Sequence, residues 1–83
     1  MEFTYKTRGV CSRNIHFELN NGIVTNLRFD GGCNGNLKGI GALVEGMPVD
    51  EVISRVEGIT CGMKKTSCPD QLAEALKAYK ENN

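Results

Sequence analysis

This sequence lacks any imbalance of charge, because its ten basic residues equal its ten acidic ones. A surface that binds nucleic acid usually needs a basic excess, so the balance argues against direct contact with DNA or RNA. It also provides no electrostatic attraction to an anionic membrane surface. No apolar run is long enough to cross a bilayer. We therefore expect neither nucleic acid nor membrane to be a binding partner.

The amino terminus lacks the apolar run of a signal peptide. We therefore expect the protein to stay in the cytoplasm, where thiols are kept reduced. In a secreted protein, four cysteines would suggest two disulfides with three alternative pairings. In a reducing compartment, the four cysteines of this chain are better interpreted as metal ligands or redox groups. They are Cys11, Cys33, Cys61 and Cys68.

Motifs of the common enzyme classes are also missing. No Ser-His-Asp set is visible, and the single histidine, His16, falls on the polar face of a predicted strand, where a surface residue is expected more often than a ligand. The glycine-rich segment from Gly31 to Asn36 lacks the Lys-Ser/Thr ending of a P-loop and the spacing of a dinucleotide-binding loop. We predict no nucleotide cofactor, and any catalytic role would fall to Cys68.

The chain length limits the size of the hydrophobic core. Eighty-three residues are enough for one domain, which we assign to residues 1–83. A domain of this size buries only about 60–65% of its unfolded surface, so its stability is marginal. A metal ion, a disulfide or a partner subunit would therefore add useful stability.

Periodic apolar residues predict the secondary structure. Period-two alternation indicates three antiparallel strands, with a hairpin turn from Asn20 to Gly22 and with Val24 on the polar face of the third strand. Helical spacing indicates a helix from Val49 to Val56, a helix along Leu72 to Tyr79, and a weaker one from Leu37 to Val44. The predicted fold class is α+β, a three-stranded antiparallel sheet with two to three helices packed on one face. The residues expected on the core face of the strands are Phe3, Tyr5, Ile15, Phe17, Leu19, Ile23, Leu27 and Phe29.

The cysteines lie in the connections between these elements. Cys11 joins the first two strands, Cys33 joins the last strand to the first helix, Cys61 follows the middle helix and Cys68 opens the final one. If these connections converge at one edge of the sheet, three or four thiolates would suit zinc or an iron–sulfur cluster. The spacing contains no CxxC pair, however, and the alternative is that some of the cysteines are small buried apolar residues.

Cys68 lies at a predicted helix start. Ser67 fits the N-cap, Asp70 its capping-box partner and Pro69 the first turn. A thiol at the positive end of a helix dipole has a larger thiolate fraction, which suits both a metal ligand and a nucleophile. Ser67 and Asp70 would cap the helix in either case.

Two motifs carry a resemblance to a known family. The segment from Thr66 to Asp70 spells TSCPD, and the segment from Gly31 to Asn36 is similar to the second signature of the same family. The chain therefore resembles a small stand-alone TSCPD-domain protein over its whole length. The same domain occurs at the C-terminus of adenosylcobalamin-dependent ribonucleotide reductases. The resemblance implies an accessory part in ribonucleoside-diphosphate reduction and DNA synthesis, with a reductase as protein partner, because 83 residues cannot hold the reductase active site.

A more distant similarity links the chain to iron–sulfur cluster scaffold proteins of the NifU type. Cys11 before two alternating strands, Cys33 after them and Cys68 at the start of an apolar helix resemble the three cysteines of those scaffolds. The resemblance implies a scaffold-like fold and a zinc ion or a cluster on these three residues. This chain has Arg13 where the scaffolds have an aspartate, and Ser67 where they have a histidine.

The sequence thus leads to one hypothesis and two rivals. The hypothesis is a metal site on Cys11, Cys33 and Cys68, with Cys61 as candidate fourth ligand, zinc as the first choice and an iron–sulfur cluster as the second. The enzyme alternative is a thiol redox or sulfur-relay protein with Cys68 as nucleophile and a neighbouring cysteine as resolver. The binding-module alternative is a domain that docks a large partner through its exposed sheet face.

Overall fold

A computed structural model describes residues 2–10, 12–32, 34–60, 62–63 and 65–80, with the side chain of Asn34 left out. It confirms the α+β fold: a three-stranded antiparallel sheet and three helices. Within the described ranges, no helix is long and apolar enough to span a membrane. The elements, in chain order, are β1 (Glu2–Lys6), β2 (Ser12–Asn20), β3 (Ile23–Gly31), α1 (Asn34–Val44), α2 (Val49–Val56) and α3 (Cys68–Tyr79).

The sheet has the strand order β1-β2-β3, so β2 is central. The predicted hairpin turn between β2 and β3 is confirmed. Asn21 and Gly22 have φ values of 54° and 76°, the left-handed conformation at both central positions that a type I′ turn requires. Asparagine and glycine adopt it at low cost, and the turn therefore fixes the pairing of Asn20 with Ile23.

The core lies between one face of the sheet and the apolar stripes of the helices. Ile15, Phe17 and Leu19 alternate along β2 and are almost fully buried, as period two predicts. From the other side, α3 contributes Leu72 and Leu76, both completely buried. Partly buried aromatic rings close the cluster at the β1 side, where Phe3 stacks on Tyr79 with ring centroids 4.7 Å apart. The remaining core residues are Val24, Leu27, Val44, Val49, Val52, Ile53, Ala73 and Ala75.

A bulge in β3 changes which residues face the core. Between its pairs with His16 and Glu18 of β2, β3 advances three residues instead of two. Asn26, with a φ of 53°, marks the extra residue. Val24 and Leu27 therefore share the buried face, and Val24 is completely buried. The predictions that Val24 lies on the polar face and Ile23 on the core face were wrong, because strict alternation makes no allowance for a bulge.

Gly41 lets α1 approach β3 closely. A Cβ atom at this position would lie 3.0 Å from the Leu27 carbonyl oxygen, which is a backbone atom and cannot swing away. Gly39, half a turn earlier on the same helix, has no atom within 4 Å of the same hypothetical Cβ. One glycine is thus required by packing, whereas the other only weakens the helix.

Alanine substitution should separate these two glycines. Gly39→Ala should raise the free energy of unfolding by up to about 1 kcal/mol, because alanine is the better helix former. Gly41→Ala has the same intrinsic gain but must push α1 away from Leu27, so it should leave the protein less stable than Gly39→Ala does. Urea unfolding of both variants measures the difference. Equal stabilisation by the two would show that the α1–β3 contact is not tight.

Candidate metal centre

Cys68 is the first residue of α3, as predicted, and only 8% of its surface is exposed. Ser67 is the N-cap: its backbone is extended, and its Oγ accepts a hydrogen bond from the Asp70 amide at 3.1 Å. Pro69 occupies the first turn, where a missing N–H costs nothing. The local sequence therefore places the Cys68 thiol at the amino end of α3.

Ser67 Oγ makes a second hydrogen bond, so removing this N-cap should lower the free energy of unfolding by an unusually large amount. Its hydroxyl donates to the Ile59 carbonyl at 2.5 Å while accepting from Asp70. Ser67→Ala should therefore cost about 2 kcal/mol of unfolding free energy, the upper end for an N-cap. The matched control is Ser54→Ala on α2, an exposed serine whose hydroxyl donates back to Glu51 and where we expect no loss. Urea unfolding that gives both variants the same stability would contradict the role of Ser67.

Ser12, which follows Cys11 in the sequence, contacts the Cys68 thiol. Its Oγ lies 3.2 Å from Cys68 Sγ, and both side chains are buried. A second bulge produces this contact: between Ser12 and Asn14, β2 advances two residues while β3 advances one. Ser12 and Ile15 therefore face the core together, although strict alternation would put Ser12 on the outer face. Thr7 supports the segment by donating from Oγ1 to the Ser12 carbonyl at 2.5 Å.

The end of β3 lies beside Ser12 as well. Gly31, two residues before Cys33, is the cross-strand partner of Ser12. Its φ of 79° is in the left-handed region, which glycine adopts without the steric penalty of a side chain. Gly31 is thus paired with Ser12, the residue that contacts Cys68.

The connection after α2 also reaches the amino end of α3. The Ile59 carbonyl, two residues before Cys61, accepts from Ser67 Oγ. The Gly58 amide donates to Asp70 Oδ1 at 2.7 Å, and Thr66 Oγ1 donates to Asp70 Oδ2 at 2.5 Å. The Asp70 carboxylate therefore ties this connection to the helix start. Its partners among the described residues are Gly58 and Thr66, not the Ser67 amide that a capping box requires, so only the bond from the Asp70 amide to Ser67 Oγ matches the prediction.

The β1–β2 connection is held against α3 by a buried glutamine. The Arg8 amide donates to Gln71 Oε1 at 3.0 Å, and Gln71 Nε2 donates to Thr66 Oγ1 at 3.1 Å. Gln71 is buried, so both of its amide atoms need partners, and these bonds supply them. The β1–β2 connection and the connection after α2 therefore contact the amino end of α3 directly. The end of β3 contacts it through Ser12.

The predicted ligands differ in what the structure says about them. Cys68 lies where the sequence predicts, whereas Cys11, Cys33 and Cys61 lie outside the described residues, so their placement at the site stays a prediction. Among the residues that are described, no group of three or more His, Cys, Asp or Glu side chains could hold a metal ion. Three polar residues of this region, Thr7, Ser12 and Gln71, were not identified from the sequence. The only available signal was their position beside Cys11 and Cys68.

His16 lies on the outer face of the sheet, as predicted, and is partly buried there by hydrogen-bonding neighbours. Its Nε2 is 2.7 Å from Asp30 Oδ2, and its Nδ1 is 3.0 Å from Thr4 Oγ1. Asn14 donates to the same Asp30 oxygen at 3.4 Å. The hydrogen bond from His16, followed by that from Asn14, lowers the pKa of Asp30 against the opposing effect of desolvation. His16 thus has a structural partner on the face opposite to Cys68.

The lowered pKa of Asp30 predicts a pH-dependent contribution to stability. The contribution is present above the ordinary aspartate pKa of about 4 and is lost as pH falls through the lowered folded-state value. Asp30→Asn should therefore be less stable than the parent protein at neutral pH, and the difference should shrink in acid. Urea unfolding across pH with a chelator present measures it, with Asp50→Asn as control at an exposed carboxylate. A difference that stays constant across pH would be contrary to this expectation.

Comparison with known proteins gives one finding. The family model described as TSCPD domain matches residues 3–80 of the 83-residue chain. No curated protein and no solved structure shows a significant match. The match includes both bulged strands and the whole of α3 with Cys68.

Proposed function

The chain belongs to the TSCPD-domain family, and from that premise we propose that it binds a metal ion through cysteine thiolates. The proposed ligands are Cys11, Cys33 and Cys68, with Cys61 as the fourth. The observation that carries the proposal is the contact between Ser12 and the Cys68 thiol, because it joins the segment after Cys11 to the start of α3.

The neighbours of the other two cysteines support the same ligand set. Gly31 is paired with Ser12, and Ile59 is bonded to Ser67, so chain positions two residues from Cys33 and Cys61 contact immediate neighbours of Cys68. Two residues of extended chain span at most about 7 Å. Under this proposal, Cys33 and Cys61 are close enough along the chain to Gly31 and Ile59 for their thiolates to reach an ion bound to Cys68.

The donor set fits zinc first. Four thiolates are a common tetrahedral environment for structural zinc, and an iron–sulfur cluster is the second candidate because it also uses cysteine ligands. A bound metal would supply a cross-link between the strand ends and α3 in a domain whose core is small. Ser12 would then donate a hydrogen bond to a ligand sulfur, the kind of outer contact that orients metal ligands.

The burial of Cys68 favours a ligand over a nucleophile. Reactive cysteines in thiol enzymes are partly exposed so that a substrate can reach the sulfur, whereas structural ones are buried. Only 8% of Cys68 is exposed, and it packs against the hydroxyl of Ser12. The thiol redox or sulfur-relay alternative would need α3 to move before Cys68 could react.

The family also suggests a partner. We extend the proposal to an accessory role in which the metal-bearing domain docks a ribonucleotide reductase and contributes to deoxynucleotide synthesis. The support is the family membership, together with the resemblance of this chain to the C-terminal domain of those reductases. The outer face of the sheet, with its row of charged and polar residues, is the proposed docking surface.

Anaerobic purification followed by metal analysis and a visible spectrum tests the metal proposal. We expect about one zinc ion per chain and no visible colour, as for a closed site with four protein ligands. A brown protein with iron and sulfide would select the cluster instead. A metal-free protein that does not take up zinc, iron or cobalt on addition would overturn the proposal.

Co-purification tests the partner separately. A tagged copy of the chain should retain a cobalamin-dependent reductase, and substitutions on the outer sheet face such as Arg28→Glu should weaken retention. Leu43→Ala on α1, away from that face, is the control. Retention that survives every change on the sheet face would contradict this docking surface without affecting the metal proposal.

A further inference from the structure

The outer edge of β1 has backbone groups available for another strand. Thr7 N donates to Arg13 O at 3.0 Å and continues the β1–β2 register, which makes Thr7 and Arg13 a hydrogen-bonded pair. Such pairs alternate along an antiparallel ladder, so Phe3 and Tyr5 bond to β2 while Glu2, Thr4 and Lys6 point their N–H and C=O groups away from it. Within the described part of the chain, no strand pairs with that edge.

The hydroxyl of Tyr79 agrees with this assignment. It donates to the Thr4 carbonyl at 3.3 Å, which is the direction expected for a carbonyl that points out of the ladder. A carbonyl oxygen has two lone pairs and can accept a second hydrogen bond from another strand. The opposite sheet edge differs, because the α1–α2 connection covers the start of β3: Val24 N donates to Met47 O, and Gly46 N donates to Val24 O.

The sequence of β1 is complementary to itself in the antiparallel direction. When two copies pair around Thr4, Glu2 of each copy lies opposite Lys6 of the other, and Phe3 lies opposite Tyr5. The charged pairs fall on the solvent face, where opposite charges stabilise a strand pair, and the aromatic pairs fall on the core face. In this register, the residues whose backbone N–H and C=O groups point away from β2 lie opposite the same kind of residue in the other copy. The pairing also includes all five residues of the strand.

We propose that this protein forms a two-fold symmetric dimer through β1, in which two three-stranded sheets join into one sheet of six strands. The interface is isologous, because the same patch is used by both copies. The two-fold axis passes between the two Thr4 residues, and both sets of helices lie on the same side of the joined sheet. The aromatic cluster of Phe3, Phe17 and Tyr79 then continues across the axis through Tyr5 of the second copy.

The dimer removes the hazard of an open sheet edge. Unpaired edge strands invite aggregation, and proteins cover, charge or pair them. In the single chain, Glu2 forms a weak ion pair with Arg28 at 3.7 Å, and both side chains are more than half exposed. An exposed ion pair of this kind contributes little, so it does not hold Glu2 away from Lys6 of a second copy.

Reversal of the two charges provides the test. Light scattering of the protein as purified, over a range of concentrations, should give twice the mass of the 9.1 kDa chain. Glu2→Lys and Lys6→Glu should each be monomeric, because each variant places like charges opposite one another. Mixing the two monomeric variants should restore the dimer, since every charge pair between them is then of opposite sign. Lys38→Glu, an exposed charge reversal on α1, should leave the dimer intact.

A second pair of variants tests the backbone. Thr4→Pro removes an N–H that points away from β2, so it should abolish dimerisation while the β1–β2 ladder remains. Thr4→Val keeps this N–H and loses only the hydroxyl that contacts His16, so it should stay dimeric. Circular dichroism confirms that each variant is folded. A monomeric parent protein, a dimer that persists in both single charge variants, or a mixture that stays monomeric would each overturn the proposal.

Discussion

Replacing Cys68 by serine should abolish metal binding and destabilise the protein more than the loss of any core side chain would. Structural zinc sites contribute apparent binding free energies of about 10–16 kcal/mol in zinc-finger peptides at neutral pH, and that energy is also folding energy. Serine keeps the size of the side chain and can still bond to Ser12, but its hydroxyl is a poor zinc ligand. The metal content should fall from about one ion per chain to none.

The same pair of proteins in chelator is the internal control. Without metal, the parent and Cys68→Ser should unfold at nearly the same denaturant concentration, because only the ligand has changed. Cys11→Ser and Cys33→Ser should behave like Cys68→Ser, and Cys61→Ser reports whether the fourth ligand is required. If metal content and unfolding were unchanged in Cys68→Ser, the proposed ligand set would be wrong.

Leu72→Ala should cost about 2–5 kcal/mol of unfolding free energy. Leu72 is completely buried where α3 packs on the sheet, so truncation leaves a cavity that the core can fill only in part. A small domain has a total stability toward the low end of about 5–15 kcal/mol. We therefore expect a sizeable unfolded fraction, measurable by denaturant unfolding, whenever the metal is removed.

Leu43→Ala is the matched control for this substitution. It makes the same chemical change on a helix, but 78% of Leu43 is exposed, so the change in stability should stay within about 0.5 kcal/mol. Helix propensity favours alanine over leucine at both sites, so the difference in unfolding free energy between the two variants measures the effect of burial. Similar losses at both positions would indicate that the core does not lie where α3 meets the sheet.

The local sequence was sufficient for most of the secondary structure. The hairpin turn follows from Asn21 and Gly22 alone, since few residues accept a positive φ at both central positions. The start of α3 follows from Ser67 and Pro69, because N-cap chemistry involves only neighbouring residues. The weak helix predicted from Leu37 to Val44 is confirmed and begins earlier, at Asn34.

The sequence by itself determined the fold class, the core face of β2 and the position of Cys68 at the start of a helix, because each depends on spacing within a few residues. Only the tertiary structure decided that Val24 and Ser12 turn inward. Both depend on bulges, which arise from how one strand pairs with another distant in the chain. The contact between Ser12 and Cys68, 56 residues apart, has the same origin. Local periodicity contains no information about such a pairing.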